Sequence, residues 1–280
     1  MIIRLLIIIS FLGSWSLTAN TKSTIFSYTN LPDVEVFYSV PKEINSDTKI
    51  LFIMHGASRN AEEYLAAWLP FIKERNVLAI APKFTKDLFP YYVTLMRATT
   101  EGKLLTDQAL YLDTIIPTMF DLFKAKFNIT SNQYRIYGHS GGSQFVHRFL
   151  MLYGDTRIDK AVMANAGFYT FLDPSIPYPF GIKDININEE RLATFLWQKN
   201  AILLGDQDID SQHQSLNRTP EARKQGRHRF ERGTNYFFNL VKFAEAKKLP
   251  FRWRYEVVQG VEHSNQGMTP VAANFLLEDL

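Results

Sequence analysis

The chain of 280 residues contains no cysteine. That absence excludes disulfides, thiolate nucleophiles, iron–sulfur clusters and cysteine-ligated zinc. It also fits a protein that is exported. A large net charge is missing too: the formal charge is +3. With no long basic run beside it, nucleic acid is not an expected partner. There is no HExxH pair for a metal and no G-x-x-x-x-G-K-[ST] loop for phosphates, and the glycines do not fit G-x-G-x-x-G. No metal and no organic cofactor are therefore expected. Internal repeats, low-complexity tracts and linkers are absent as well.

The one long apolar run sits at the start. Met1-Ile2-Ile3-Arg4 is a short basic opening, residues 5–12 are mostly apolar, and residues 13–19 turn small and polar. That order predicts a secretory signal peptide over residues 1–19. The apolar stretch is shorter than the roughly 20 residues of a membrane span, so no stable span is expected. The mature chain, 20–280, reads as one domain, secreted or periplasmic.

Hydrophobic residues make up 46% of the chain, enough for a sizeable core. Short apolar runs at 24–28, 34–40, 49–55, 77–81, 134–137, 160–166, 201–204 and 251–258 read as strands. Residues 61–75, 106–127, 143–150, 189–198, 234–247 and 270–280 read as helices, and 207–233 as a long polar connection. Alternating buried strands and helices predict an α/β fold with a mostly parallel sheet of about eight strands, covered by helices on both faces.

Gly138-His139-Ser140-Gly141-Gly142 follows a strand and opens a helix. Strand, G-x-S-x-G, helix is the context of a nucleophile elbow, where a sharp turn exposes the serine hydroxyl. Gly138 and Gly142 are needed because side chains there would strike neighbouring backbone. A serine hydroxyl is a weak nucleophile and needs a base, usually histidine. Of the six histidines, His263 lies on the loop between the last strand and the last helix, where a hydrolase of this order places it. An acid must orient that histidine. Strand 201–204 ends at Gly205, and the spacing Gly205-x-x-Asp208 selects Asp208, with Asp206 and Asp210 as alternatives. A tetrahedral intermediate needs two N–H donors. Gly141 supplies one, and Ala57, in His55-Gly56-Ala57 after an earlier strand, supplies the other. His55 itself is expected to shape that loop.

Together these motifs resemble an α/β-hydrolase-fold serine esterase of the secreted polyhydroxybutyrate-depolymerase-like and feruloyl-esterase-like group. They are His55-Gly56, Gly138-x-Ser140-x-Gly142, Gly205-x-x-Asp208 and His263, in that order. Many depolymerases of that group carry a cysteine where this chain has Ala57. The resemblance implies an acyl-enzyme on Ser140 and a small-molecule or polymeric ester as substrate. A peptidase or amidase using the same three residues is the alternative, and a non-catalytic binding protein on the same scaffold is another.

Two segments bear on specificity. Phe168-Tyr169-Thr170-Phe171, continuing to Tyr178 and Phe180, is either a pocket wall or aromatic packing. His139, Phe168 and Tyr169 are the candidate substrate contacts. The basic run Arg218, Arg223, Lys224, Arg227, Arg229 and Arg232 is read as a solvated loop with local ion pairs. The other reading is attraction of an anionic substrate.

Overall fold

The computed structural model describes residues 21–280. The expected signal peptide lies outside the described residues. Eight strands form one sheet: β1 (Thr21–Tyr28), β2 (Leu31–Ser39), β3 (Lys49–Met54), β4 (Val77–Lys83), β5 (Tyr134–His139), β6 (Ile158–Ala164), β7 (Lys199–Gly205) and β8 (Arg254–Val258). Their order is β1-β2-β4-β3-β5-β6-β7-β8. β1 pairs antiparallel with β2, and β2 with β4. Every later pairing is parallel.

Among the described residues, seven α-helices surround the sheet: α1 (Ala61–Ile72), α2 (Ile115–Lys126), α3 (Gly141–Leu152), α4 (Glu189–Trp197), α5 (Pro220–Lys224), α6 (Arg229–Lys247) and α7 (Asn265–Leu277). Side chains alternate across the strands, so each sheet face carries its own core. On β3, Leu51 and Ile53 join α1 and α7 through Leu65, Trp68, Ala272 and Leu276. Ile50, Phe52 and Met54 face the other way, into the layer of α2, α3, α4 and α6. The carboxyl ends of β5, β7 and β8 therefore open on one rim of the sheet, where α/β folds place their ligands.

Three expectations change. The helix expected over 106–127 begins only at Ile115, after a short 3₁₀ turn at Gln108–Leu110. Pro117 favours that start. It has no N–H to donate, and its ring crowds a helical carbonyl four residues earlier, so the first turn is the place where it costs least. The connection 207–233 is not wholly irregular. It contains α5, and α6 starts at Arg229, capped by the His228 side chain accepting from the Glu231 N–H. The last helix starts at Asn265, capped by Ser264, with Pro270 inside it.

Candidate active site

Ser140 sits between β5 and α3 with φ 55° and ψ −116°, a strained conformation for a residue with a side chain. The glycines on either side make the turn possible. A Cβ on Gly142 would lie 1.9 Å from the Met54 carbonyl oxygen, and one on Gly138 would lie 2.3 Å from the Gly142 carbonyl oxygen.

His263 arrives from the loop after β8. Its Nε2 lies 2.9 Å from Ser140 Oγ, and its Nδ1 lies 2.6 Å from Asp208 Oδ2. The carboxylate accepts from Nδ1–H, so the lone pair on Nε2 faces the serine hydroxyl. The three candidate acids separate by geometry. Asp206 accepts from the Gly260 N–H at 2.7 Å, and Asp210 accepts from the Gln212 N–H at 2.8 Å. Asp206 ties the end of β7 to the turn after β8, Asp210 serves a local turn, and Asp208 is the acid that meets His263. Gly205 allows this meeting, because a Cβ there would lie 2.3 Å from the Val261 carbonyl oxygen in the histidine loop. Burial holds the His263 pKa below its ordinary value, against the raising effect of the Asp208 hydrogen bond and charge. The imidazole is thus neutral, and able to accept a proton, at neutral pH.

Gly141 is the first residue of α3, so its N–H has no intrahelical acceptor. The turn carrying Ala57 lies against it: a Cβ on Gly141 would sit 3.1 Å from the Ala57 nitrogen. His55 fixes this turn. Its Nε2 accepts from the Phe84 N–H at 3.0 Å, which leaves the proton on Nδ1 to donate to the Gly56 carbonyl, also at 3.0 Å. Complete burial lowers the His55 pKa to about 3, so it stays neutral. Its role is to aim the peptide that carries the Ala57 N–H.

Beside these residues lies a cleft of about 830 Å³, lined by Ala57, Lys86, Gln144, Phe168, Ser215 and Arg218 among others. Of the three candidate substrate contacts, Phe168 lines it. Tyr169 is fully buried, stacked on Tyr236 with ring centroids 4.5 Å apart. His139 is buried behind the site, where its Nδ1 meets Tyr64 Oη at 2.9 Å and its ring lies 4.8 Å from that of His263. The aromatic segment is both wall and packing. Arg148, fully buried in α3, donates to Thr170 Oγ1 and to the Val93 and Pro179 carbonyls, and its guanidinium covers Phe168 at 4.5 Å.

The basic run departs from the solvated-loop expectation at Arg229 and Arg232, while Arg218, Arg223, Lys224 and Arg227 are exposed. Arg227 is exposed and paired with Glu231 at 3.0 Å, as expected. Arg229 and Arg232 are fully buried on the first turn of α6. Arg229 and His213 stand close to the site, a place the sequence reading assigns to neither. The spacing Arg-x-x-Arg at a helix start puts both side chains on one face, and that was the signal available. Among the described residues, no cluster of three or more His, Asp or Glu side chains could hold a metal ion. No helix among them is long and apolar enough to cross a membrane.

The solved structure of poly(aspartic acid) hydrolase-1 from Sphingomonas sp. KT-1 matches with a TM-score of 0.86 and 36% identity, covering 93% of this chain and 99% of that one. The chain belongs to the same family of α/β-hydrolase-fold serine hydrolases. The poly(3-hydroxybutyrate) depolymerase LpqC from Bordetella parapertussis matches this hydrolase at a TM-score of 0.84 and 26% identity, covering 94% of this chain and 91% of that one. The siderophore hydrolase EstB from Aspergillus nidulans, at a TM-score of 0.58 and 13% identity, covers 95% of this chain and 98% of that one, and shows the shared fold alone. No family model and no curated protein matches the chain.

Proposed function

We propose that this hydrolase cleaves carboxylic esters through an acyl-enzyme on Ser140. The observation that carries the reading is the unbroken line Ser140 Oγ–His263–Asp208, with contacts of 2.9 and 2.6 Å. His263 Nε2 takes the Ser140 proton as Oγ attacks the carbonyl carbon. Asp208 orients the ring and stabilises the imidazolium that forms. The N–H groups of Ala57 and Gly141 bind the oxyanion. The imidazolium then protonates the departing alkoxide, leaving an acyl-Ser140. Water, deprotonated by the same histidine, attacks that ester, and the carboxylic acid leaves as Ser140 recovers its proton.

The cleft is larger than a small acyl group requires, and Thr100, Gln144, Gln214, Ser215, Asn217 and Thr219 line it. These polar groups, set among the apolar Ala57, Pro90, Val93 and Phe168, suit an extended substrate that carries oxygens along an apolar chain. A second reading has a specific support. The relative at 36% identity is a poly(aspartic acid) hydrolase, whose named substrate is an amide-linked polyanion, and Lys86 and Arg218 line this cleft against a single Glu101. In that case the imidazolium protonates a leaving amine. Turnover of p-nitrophenyl acetate, of 3-hydroxybutyrate oligomers and of aspartate oligomers by the wild type and by Ser140→Ala tests both readings. Loss of all turnover in Ser140→Ala is expected, and retained turnover overturns the proposal. The signal peptide expected over residues 1–19 supports export. A mature N-terminus near Asn20 on the secreted protein would bear this out, and an intact Met1 on it would contradict it.

A further inference from the structure

Arg229 has no place in the mechanism above, yet it is among the most deeply buried charged side chains and lies against the site. Its Nη1 is 3.4 Å from Asp208 Oδ1, the oxygen that does not bond His263. Its Nη2 donates to Ser215 Oγ at 2.8 Å and points to His213 Nδ1 at 3.3 Å. Ser215 lines the cleft. The His213 ring meets the His263 ring edge-to-face at a centroid distance of 5.3 Å. The main chain joins in, because the Phe230 N–H donates to the Asp208 carbonyl at 3.2 Å. One helical turn further, Arg232 donates to the carbonyls of Asn217 and Gly167 at 2.8 and 2.6 Å. Asn217 lines the cleft on one side, and Gly167 precedes Phe168 of the aromatic wall.

The first turn of α6 thus grips the acid, the segment 213–217 and the start of the aromatic wall at once. Burying a guanidinium is costly unless its bonds are fixed. A solvated arginine would hold neither the acid nor the wall. From this we infer that Arg229 is a positioning residue: it locks the Asp208 carboxylate and the cleft wall at 213–217 into one frame. The inference rests on the proposed roles of Ser140, Asp208 and His263.

Arg229 acts in two separable ways. Its charge lies beside the acid–base pair, and its fork holds three acceptors in fixed directions. The titratable and charged groups facing His263 are Asp208 from the end of β7, Arg229 from α6, His139 from β5 and His213 from the connection before α5. Arg229 is the one permanent cation among them. Removing it favours the imidazolium, so the acid limb of kcat/KM must move to higher pH. A lysine restores the charge but cannot span Asp208, Ser215 and His213 together.

The experiment compares full-length wild type with Arg229→Met, Arg229→Lys and Ser140→Ala, using p-nitrophenyl acetate across pH and hydrogen–deuterium exchange over residues 212–219. In Arg229→Met the acid limb should rise by about one pH unit, as for loss of a neighbouring charge, and exchange in the wall should quicken at least tenfold. Arg229→Lys should return the limb to its wild-type position while exchange stays fast. A merely structural arginine would not produce that split. A folded Arg229→Met with the limb unmoved overturns the proposal. If Arg229→Met does not fold, Arg229→Lys decides alone, and wild-type exchange in that variant overturns it. Turnover surviving in Ser140→Ala would instead defeat the underlying mechanism, which keeps the two failures apart.

Discussion

Replacing Asp208 by asparagine removes one charge and almost no volume, so its effect can be worked out closely. Asp208 is 2% exposed, and its Oδ2 lies 2.6 Å from His263 Nδ1. When His263 takes the serine proton, a carboxylate and an imidazolium stand with charge centres about 4 Å apart. At an effective dielectric of about 20 they attract by about 4 kcal/mol. Losing that in the transition state costs about a thousandfold in kcat/KM. The amide also brings a donor where an acceptor stood. Once it donates to Nδ1, the ring proton moves to Nε2, where it faces Ser140 and blocks the base. The loss should therefore be at least a thousandfold on p-nitrophenyl acetate at pH 8. Asp210→Asn, whose carboxylate only accepts from the Gln212 N–H on an exposed turn, should change the rate less than threefold. Asp208→Asn should also lower the melting temperature, because Arg229 keeps its burial and loses its carboxylate. A loss of less than tenfold in Asp208→Asn, or an equal loss in Asp210→Asn, would refute the reasoning.

Other expectations follow from the same geometry. The acid limb of kcat/KM should have its midpoint below pH 6.5, since burial lowers the His263 pKa; activity is full above that midpoint and falls as the imidazole is protonated below it, which a pH–rate profile measures. His55→Leu should leave the Phe84 N–H and the Gly56 carbonyl without their ring partner. At about 1–3 kcal/mol for each buried orphan, denaturant unfolding should show the destabilisation, and a misaimed Ala57 N–H should lower kcat about ten- to a hundredfold. Gly142→Ala forces a Cβ to 1.9 Å from the Met54 oxygen and should destabilise by about 3 kcal/mol or more, seen as a lower melting temperature or as insoluble protein.

The arrangement around Ser140 is legible in the sequence because its motifs have local steric causes. Gly142 and Gly205 mark places where backbone meets backbone, and each carries its consequence in the residue type. The strands were legible through their unbroken apolar runs. The start of α2 is not legible because the apolar pattern from Leu110 onward continues across the 3₁₀ turn, and Pro117 only favours a start close before it. Arg229 and Arg232 were misread for a different reason. A charged residue in a polar stretch is solvated by default, and these two are buried only because acceptors from distant segments, Gly167, Asn217 and Asp208, converge on them. Tyr169 shows the same limit. Nothing in Phe168-Tyr169 tells which ring turns to the cleft, and the stack on Tyr236 in α6 decides it.

Ser140 is the proposed nucleophile, poised by His263. Reaction of the intact protein with a fluorophosphonate, followed by mass measurement and peptide mapping, tests it most directly. One adduct per chain is expected, on Ser140, with none in Ser140→Ala and slowed labelling in His263→Ala. An adduct on another residue, or ester turnover that continues with Ser140 unlabelled, would contradict it.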